Sequence, residues 1–123
     1  MEIRDQLQII IKALEDKKAE DISILDIQKI SVMADYFVIA TGLSKNQIGA
    51  MMNELEQKLS QNKIHAKSIE GTNASGWVLL DYQDIVIHIF DRESRAFYDL
   101  ERIWGDAVKL SPEDLRTKAD SIS

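Results

Sequence analysis

The stretch Asp35-Tyr36-Phe37-Val38-Ile39-Ala40-Thr41 constrains the fold more than any other part of the sequence. It has the length of a strand and almost no polar alternation, so neither of its faces suits water. Such a strand belongs at the centre of a sheet that is covered on both sides. The expected class is therefore α/β of the mixed α+β kind, with helices on the sheet. A chain of 123 residues, 45% apolar and 29% charged, forms one domain and buries about two-thirds of its unfolded surface without a disulfide or metal staple. With 5 Gly and 1 Pro it is neither collagen-like nor linker-rich.

The segments around this strand supply the covering layers. Ile3, Leu7, Ile10, Ile11 and Leu14 share one helical face, which predicts a helix over Glu2–Lys17. Asp21–Gln28 is rich in β-branched residues and reads as a strand, followed by a connector, Lys29–Ala34. Gly42 and Leu43 end the central strand, and Ser44-Lys45-Asn46-Gln47 has the form of a capping box. Ile48, Met51, Met52, Leu55 and Leu59 continue from it at helical spacing, with Lys58 and Lys63 suited to the negative end of the dipole. Ala66–Glu70 is a short strand and Gly71–Gly76 a loop.

Trp77–Tyr82 and Asp84–Phe90 then read as an antiparallel hairpin about Gln83. Alternation places Val78, Leu80 and Tyr82 on one face and Trp77, Leu79 and Asp81 on the other. From about Glu93, Phe97, Leu100 and Trp104 recur at helical spacing as far as Gly105. The order is α-β-β-α-β-β-β-α in a domain spanning 1–108. Residues 109–123 form a tail, in which Ser111-Pro112-Glu113-Asp114 begins a short helix and the end frays or is disordered.

Charge and motifs narrow the chemistry. The net charge is −6, which leaves no diffuse cationic field for nucleic acid and favours a basic or neutral partner. Residues 77–107 hold seven acids and three bases, so −4 of that charge lies in a quarter of the chain. The absence of Cys removes disulfides, thiolate metal sites and cysteine nucleophiles. No secretory or transit signal opens the chain and no apolar run has the length of a membrane span, so a cytoplasmic protein is expected.

His65 and His88 lack metal-ligand spacing. His65 suits the end of the preceding helix dipole, and His88 suits a sheet surface or a hydrogen-bonded site. Asp81 and Asp84 flank the hairpin turn, where aspartate serves turn chemistry, and neither they nor Asp91 have an accompanying base, nucleophile or phosphate loop. The turn Thr41-Gly42-Leu43-Ser44 lacks the glycines and lysine of a phosphate loop. Glu54 and Glu56, two apart on a helix, point in different directions and cannot act as a metal pair. No catalytic residue, metal or cofactor is assigned. Trp77, at the junction of loop and strand with Leu79, Asp81, Tyr82 and Asp84 around it, either covers the sheet edge or anchors a partner.

Larger blocks carry a resemblance. Asp35-Tyr36-Phe37-Val38-Ile39-Ala40-Thr41-Gly42-x-Ser44, Glu70-Gly71, Gly76 through Phe90, and Arg95-x-Phe97-Tyr98-x-Leu100-Glu101-x-Ile103-Trp104-Gly105-Asp106-Ala107 closely resemble the ribosomal silencing factor RsfS family, also called Iojap or YbeB. The resemblance covers about residues 1–108. It implies a nucleotidyltransferase-like mixed sheet flanked by helices, and no enzymatic activity. It also implies binding to the large ribosomal subunit at ribosomal protein L-fourteen, which blocks joining with the small subunit and lowers translation in starvation or stationary phase. The implied partner surface comprises Trp77, Leu79, Asp81, Tyr82 and Asp84, with His88 and Asp35 beside them. Little direct RNA contact is expected, and a homodimer is compatible with the family. The alternatives are an adaptor in large-subunit assembly and a nucleotide-binding relict using the Thr41–Ser44 turn.

Overall fold

The computed structural model describes residues 1–116. Helix α1 (Ile3–Asp16) is followed by strands β1 (Glu20–Asp26) and β2 (Tyr36–Thr41), helix α2 (Lys45–Gln61), and strands β3 (Ser68–Glu70), β4 (Trp77–Asp81) and β5 (Ile85–Phe90). Helices α3 (Arg92–Tyr98) and α4 (Leu100–Ile103) and strand β6 (Val108–Leu110) complete the labelled elements. The strands form one mixed sheet in the order β3-β4-β5-β2-β1-β6. As its composition requires, β2 is interior: it runs parallel to β5 and antiparallel to β1, and Val38, Ile39 and Ala40 have no solvent exposure.

The two faces of the sheet are covered unequally. On one, Leu7, Ile10 and Leu14 of α1 and Met51, Leu55 and Leu59 of α2 pack over Val38, Ala40, Leu80, Ile87 and Ile89. The two helices are locked together at their ends by Gln47. Its Oε1 accepts from Leu43 N at 2.6 Å, its backbone N–H donates to Ser44 Oγ at 3.0 Å, and its Nε2 donates to the carbonyls of Lys17 and Lys18. The capping box thus forms with one change: the glutamine amide serves Leu43 and also closes the C-terminus of α1.

On the other face, Leu25, Ile27, Ala34, Ile39 and Phe90 make a smaller core, covered by Leu100, Trp104 and Ala107. The single helix expected between Glu93 and Gly105 is broken here. Asp99 takes a left-handed backbone (φ 46°) and divides it into α3 and α4, with Arg102 Nε donating to Asp99 Oδ2 at 3.1 Å. The break lets Leu100 and Trp104 turn onto the sheet while Phe97 stays 78% exposed.

Strand β6 is a second difference, since residues 108–110 add an edge strand against β1 with Ile24 opposite Leu110. A three-residue strand is too short to show a period of two. Beyond it Ser111 caps a helical stretch over 112–116, exchanging hydrogen bonds with Asp114. Leu115 is buried in the α1–α2 core, and its carbonyl accepts from Arg4 Nη2 at 2.8 Å. The expected frayed end falls on residues 117–123, outside the described residues.

Candidate docking surface

Two glycines fix where Trp77 emerges. Gly71 (φ 87°) lies against the Trp77 carbonyl, where a Cβ has no room. Gly76 (φ 81°) lies so close to α3 that a Cβ would be 2.8 Å from Ser94 Oγ and 3.1 Å from Asp91 Oδ2. Asp91 in turn caps α3 by accepting from Ser94 N at 2.7 Å, and its own N–H donates to the Gly76 carbonyl. The start of β4 and the start of α3 are therefore one rigid unit.

Strand register then sets out the face. Trp77 lies opposite Phe90, Leu79 opposite His88 and Asp81 opposite Val86. On the outer side, Glu70 is opposite Leu79 and Ser68 opposite Asp81. Inward, β2 places Ile39 beside His88 and Phe37 beside Val86. The small helices cover only part of this array, leaving Phe37, Trp77, Leu79, Asp81 and Val86 half-buried.

Aromatic contacts run across it. The Trp77 ring lies 4.5 Å from Tyr98 and 5.0 Å from Phe90, and Phe97 meets Tyr98 edge-on at 5.0 Å. Trp77 Nε1 donates to His88 Nδ1 at 3.1 Å. Phe37 stands edge-on to His88 at 4.8 Å and to Trp104 at 5.1 Å. A shallow hollow of about 230 Å³, lined by Glu70, Gly71, Trp77 and Leu79, opens beside the indole.

The residues singled out from the sequence separate into three groups. Trp77, Leu79 and Asp81 form one half-buried row, with His88 beside Leu79 on the same face, buried to 4% exposure. Asp35 and Asp84 meet at the hairpin end, where the Asp84 carbonyl accepts from Asp35 N at 2.8 Å and from Tyr36 N at 3.1 Å. Tyr82 is a correction to the expected surface. It belongs to the opposite, helix-covered face at 8% exposure, where burial, with Glu56 adding to it, pushes its phenol up to about 12. This is what the alternation of β4 dictates once the helices lie on the Val78–Leu80 side.

Phe97 and Tyr98, which sequence reasoning left out of the surface, are exposed beside Trp77. The available signal was weak: Tyr98 falls outside the Phe97, Leu100 and Trp104 spacing, and Phe97 is turned outward only by the break at Asp99.

Charge follows the same map. Arg92, Arg95 and Arg102, the three bases of the acidic stretch, pair with Glu20, Glu101 and Asp99 at 3.0, 3.0 and 3.1 Å. Burial works against the charged form of Glu101, yet hydrogen bonds from Arg95 and Lys109 outweigh it and hold the carboxyl below its ordinary value. Asp84, Glu93 and Asp106 remain exposed. Among the described residues, no group of three His, Cys, Asp or Glu is placed to hold a metal, and no helix is long and apolar enough to cross a membrane. In the turn after β2, Thr41 Oγ1 accepts from Arg95 Nη1 at 2.9 Å and Ser44 is committed to its cap. An apolar, aromatic row that includes Asp81 and adjoins Glu70 is equipped to bind a partner.

The family described as "Ribosomal silencing factor during starvation" matches residues 1–122. The ribosomal silencing factor RsfS of Bacillus subtilis is 44% identical over 101 residues, covering 82% of this chain and 86% of the relative. That of Halalkalibacterium halodurans is 40% identical over 113 residues, covering 92% and 97%. A crystal structure of a Chromobacterium violaceum protein superposes with a TM-score of 0.82 at 36% identity, covering 85% of this chain and 88% of the other. By these descriptions, proteins of the family act in ribosome regulation. The chain belongs to the RsfS/Iojap family of ribosomal silencing factors.

Proposed function

We propose that the protein binds the large ribosomal subunit through ribosomal protein L-fourteen and blocks joining with the small subunit, lowering translation when nutrients are scarce. The observation that carries the choice of surface is the half-buried row Trp77, Leu79 and Asp81, extended by Phe97 and Tyr98. Trp and Tyr concentrate binding energy because they bury large area with few rotors to freeze. The exposed carboxylates around the row steer a basic protein surface and repel phosphate, so protein rather than RNA is the main contact. Asp35 and Asp84 lie at the rim of this surface, and Tyr82 supports it from the core. Steric blockade needs only occupancy, which suits a fold of the mixed-sheet, nucleotidyltransferase-like kind with no reactive centre. The test is binding of purified ribosomal protein L-fourteen by the wild type and by a Trp77→Ala/Phe97→Ala double variant. A loss of at least tenfold is expected at a temperature where both proteins are fully folded, and equal binding would remove this surface from the interface.

A further inference from the structure

We propose that His88 is a positioning residue: by accepting a hydrogen bond at Nδ1 it holds the Trp77 indole in the orientation that a partner meets. The inference rests on the reading of the Trp77 row as the docking surface. His88 is 4% exposed and cannot itself form the outer contact. Trp77 is paired across the strands with Phe90 rather than with His88, so its indole leans along the sheet to place Nε1 3.1 Å from the imidazole.

Accepting at Nδ1 requires the neutral ring to carry its proton on Nε2. That atom is buried and has no hydrogen-bond partner. A buried N–H without an acceptor is destabilising. The surroundings, with Phe37 at 4.8 Å and Phe90 at 6.3 Å between ring centroids, would accommodate a leucine at no such cost. Packing alone therefore does not account for a histidine here. The indole bond does, and with the Tyr98 ring tilted against it at 4.5 Å it leaves Trp77 held at its nitrogen and along one flank. An anchor fixed before binding loses less conformational freedom on docking.

The experiment compares His88→Leu, His88→Asn and Trp77→Ala by melting temperature, by affinity for isolated large ribosomal subunits, and by the NMR signal of the Trp77 indole N–H. Asparagine carries an amide oxygen close to the position of Nδ1 and so restores the acceptor. His88→Leu is expected to melt at or above the wild-type temperature, to bind about three- to tenfold more weakly, and to show a shifted, faster-exchanging indole signal. His88→Asn is expected to recover both affinity and indole signal. The proposal is overturned if His88→Leu fails to fold, if it keeps wild-type affinity while Trp77→Ala loses it, or if His88→Asn is no better than leucine. If Trp77→Ala itself leaves binding unchanged, the docking reading falls and this inference falls with it, an outcome distinct from the other three.

Discussion

At the scale of single residues, the sheet sorts side chains by parity, and titration exposes the result. His88 and Tyr82 were both expected at a partner surface, yet His88 is buried within that face and Tyr82 lies on the far side of the sheet. Burial lowers the His88 pKa from 6.5 to about 4, so the folded protein keeps the ring neutral where the unfolded chain takes up a proton. His88 therefore contributes a pH dependence in which stability is complete above pH 6.5 and declines as pH falls toward 4. The full loss is about 3 kcal/mol. Urea denaturation between pH 7.5 and 4.5 should show that slope in the wild type, and His88→Leu should flatten it. Tyr82→Ala empties a core position under α2 and should cost about 3 kcal/mol by the same method. Its effect on ribosome binding should follow only from the fraction unfolded, unlike that of Trp77→Ala.

Among the elements, the junction of the glycine loop, β4 and α3 positions the surface. Gly76→Ala would drive a Cβ into the Asp91 cap from a positive-φ position, at a cost of about 1–3 kcal/mol measured by chemical denaturation. The disturbance should spread to both Trp77 and α3. Central strand, hairpin, capping box and the two faces of β4 were all legible because each rests on local periodicity or local chemistry. The break at Asp99 was not, because Phe97, Leu100 and Trp104 fit a helical spacing whether or not the helix is continuous. It is the sheet, offering room for Leu100 and Trp104 but not for Phe97, that selects the left-handed turn. Strand β6 was hidden for a related reason, since three residues become a strand only through the β1 edge they complete. The docking row was half legible: Trp77, Leu79 and Asp81 share a parity, whereas Phe97 and Tyr98 join them only through the fold.

For the whole molecule, asymmetry between the faces is the central feature. Two long helices seal one side of the sheet, while two short ones leave an aromatic strip open on the other. The segment after residue 108 contributes to the sealed side, and Leu115→Ala should lower stability by about 2–4 kcal/mol without touching the strip. The acidic excess of residues 77–107 also acts at this scale. Association with the large subunit should slow as salt rises, because the Debye length shortens to about 8 Å at physiological ionic strength. Docking through the aromatic strip is tested most directly by light scattering of purified subunits joining in the presence of a saturating amount of protein, wild type against Trp77→Ala/Phe97→Ala. The wild type is expected to hold the subunits apart, and the double variant, at a temperature where it is folded, to let them join. Undiminished inhibition by the double variant would rule out the aromatic strip as the docking surface.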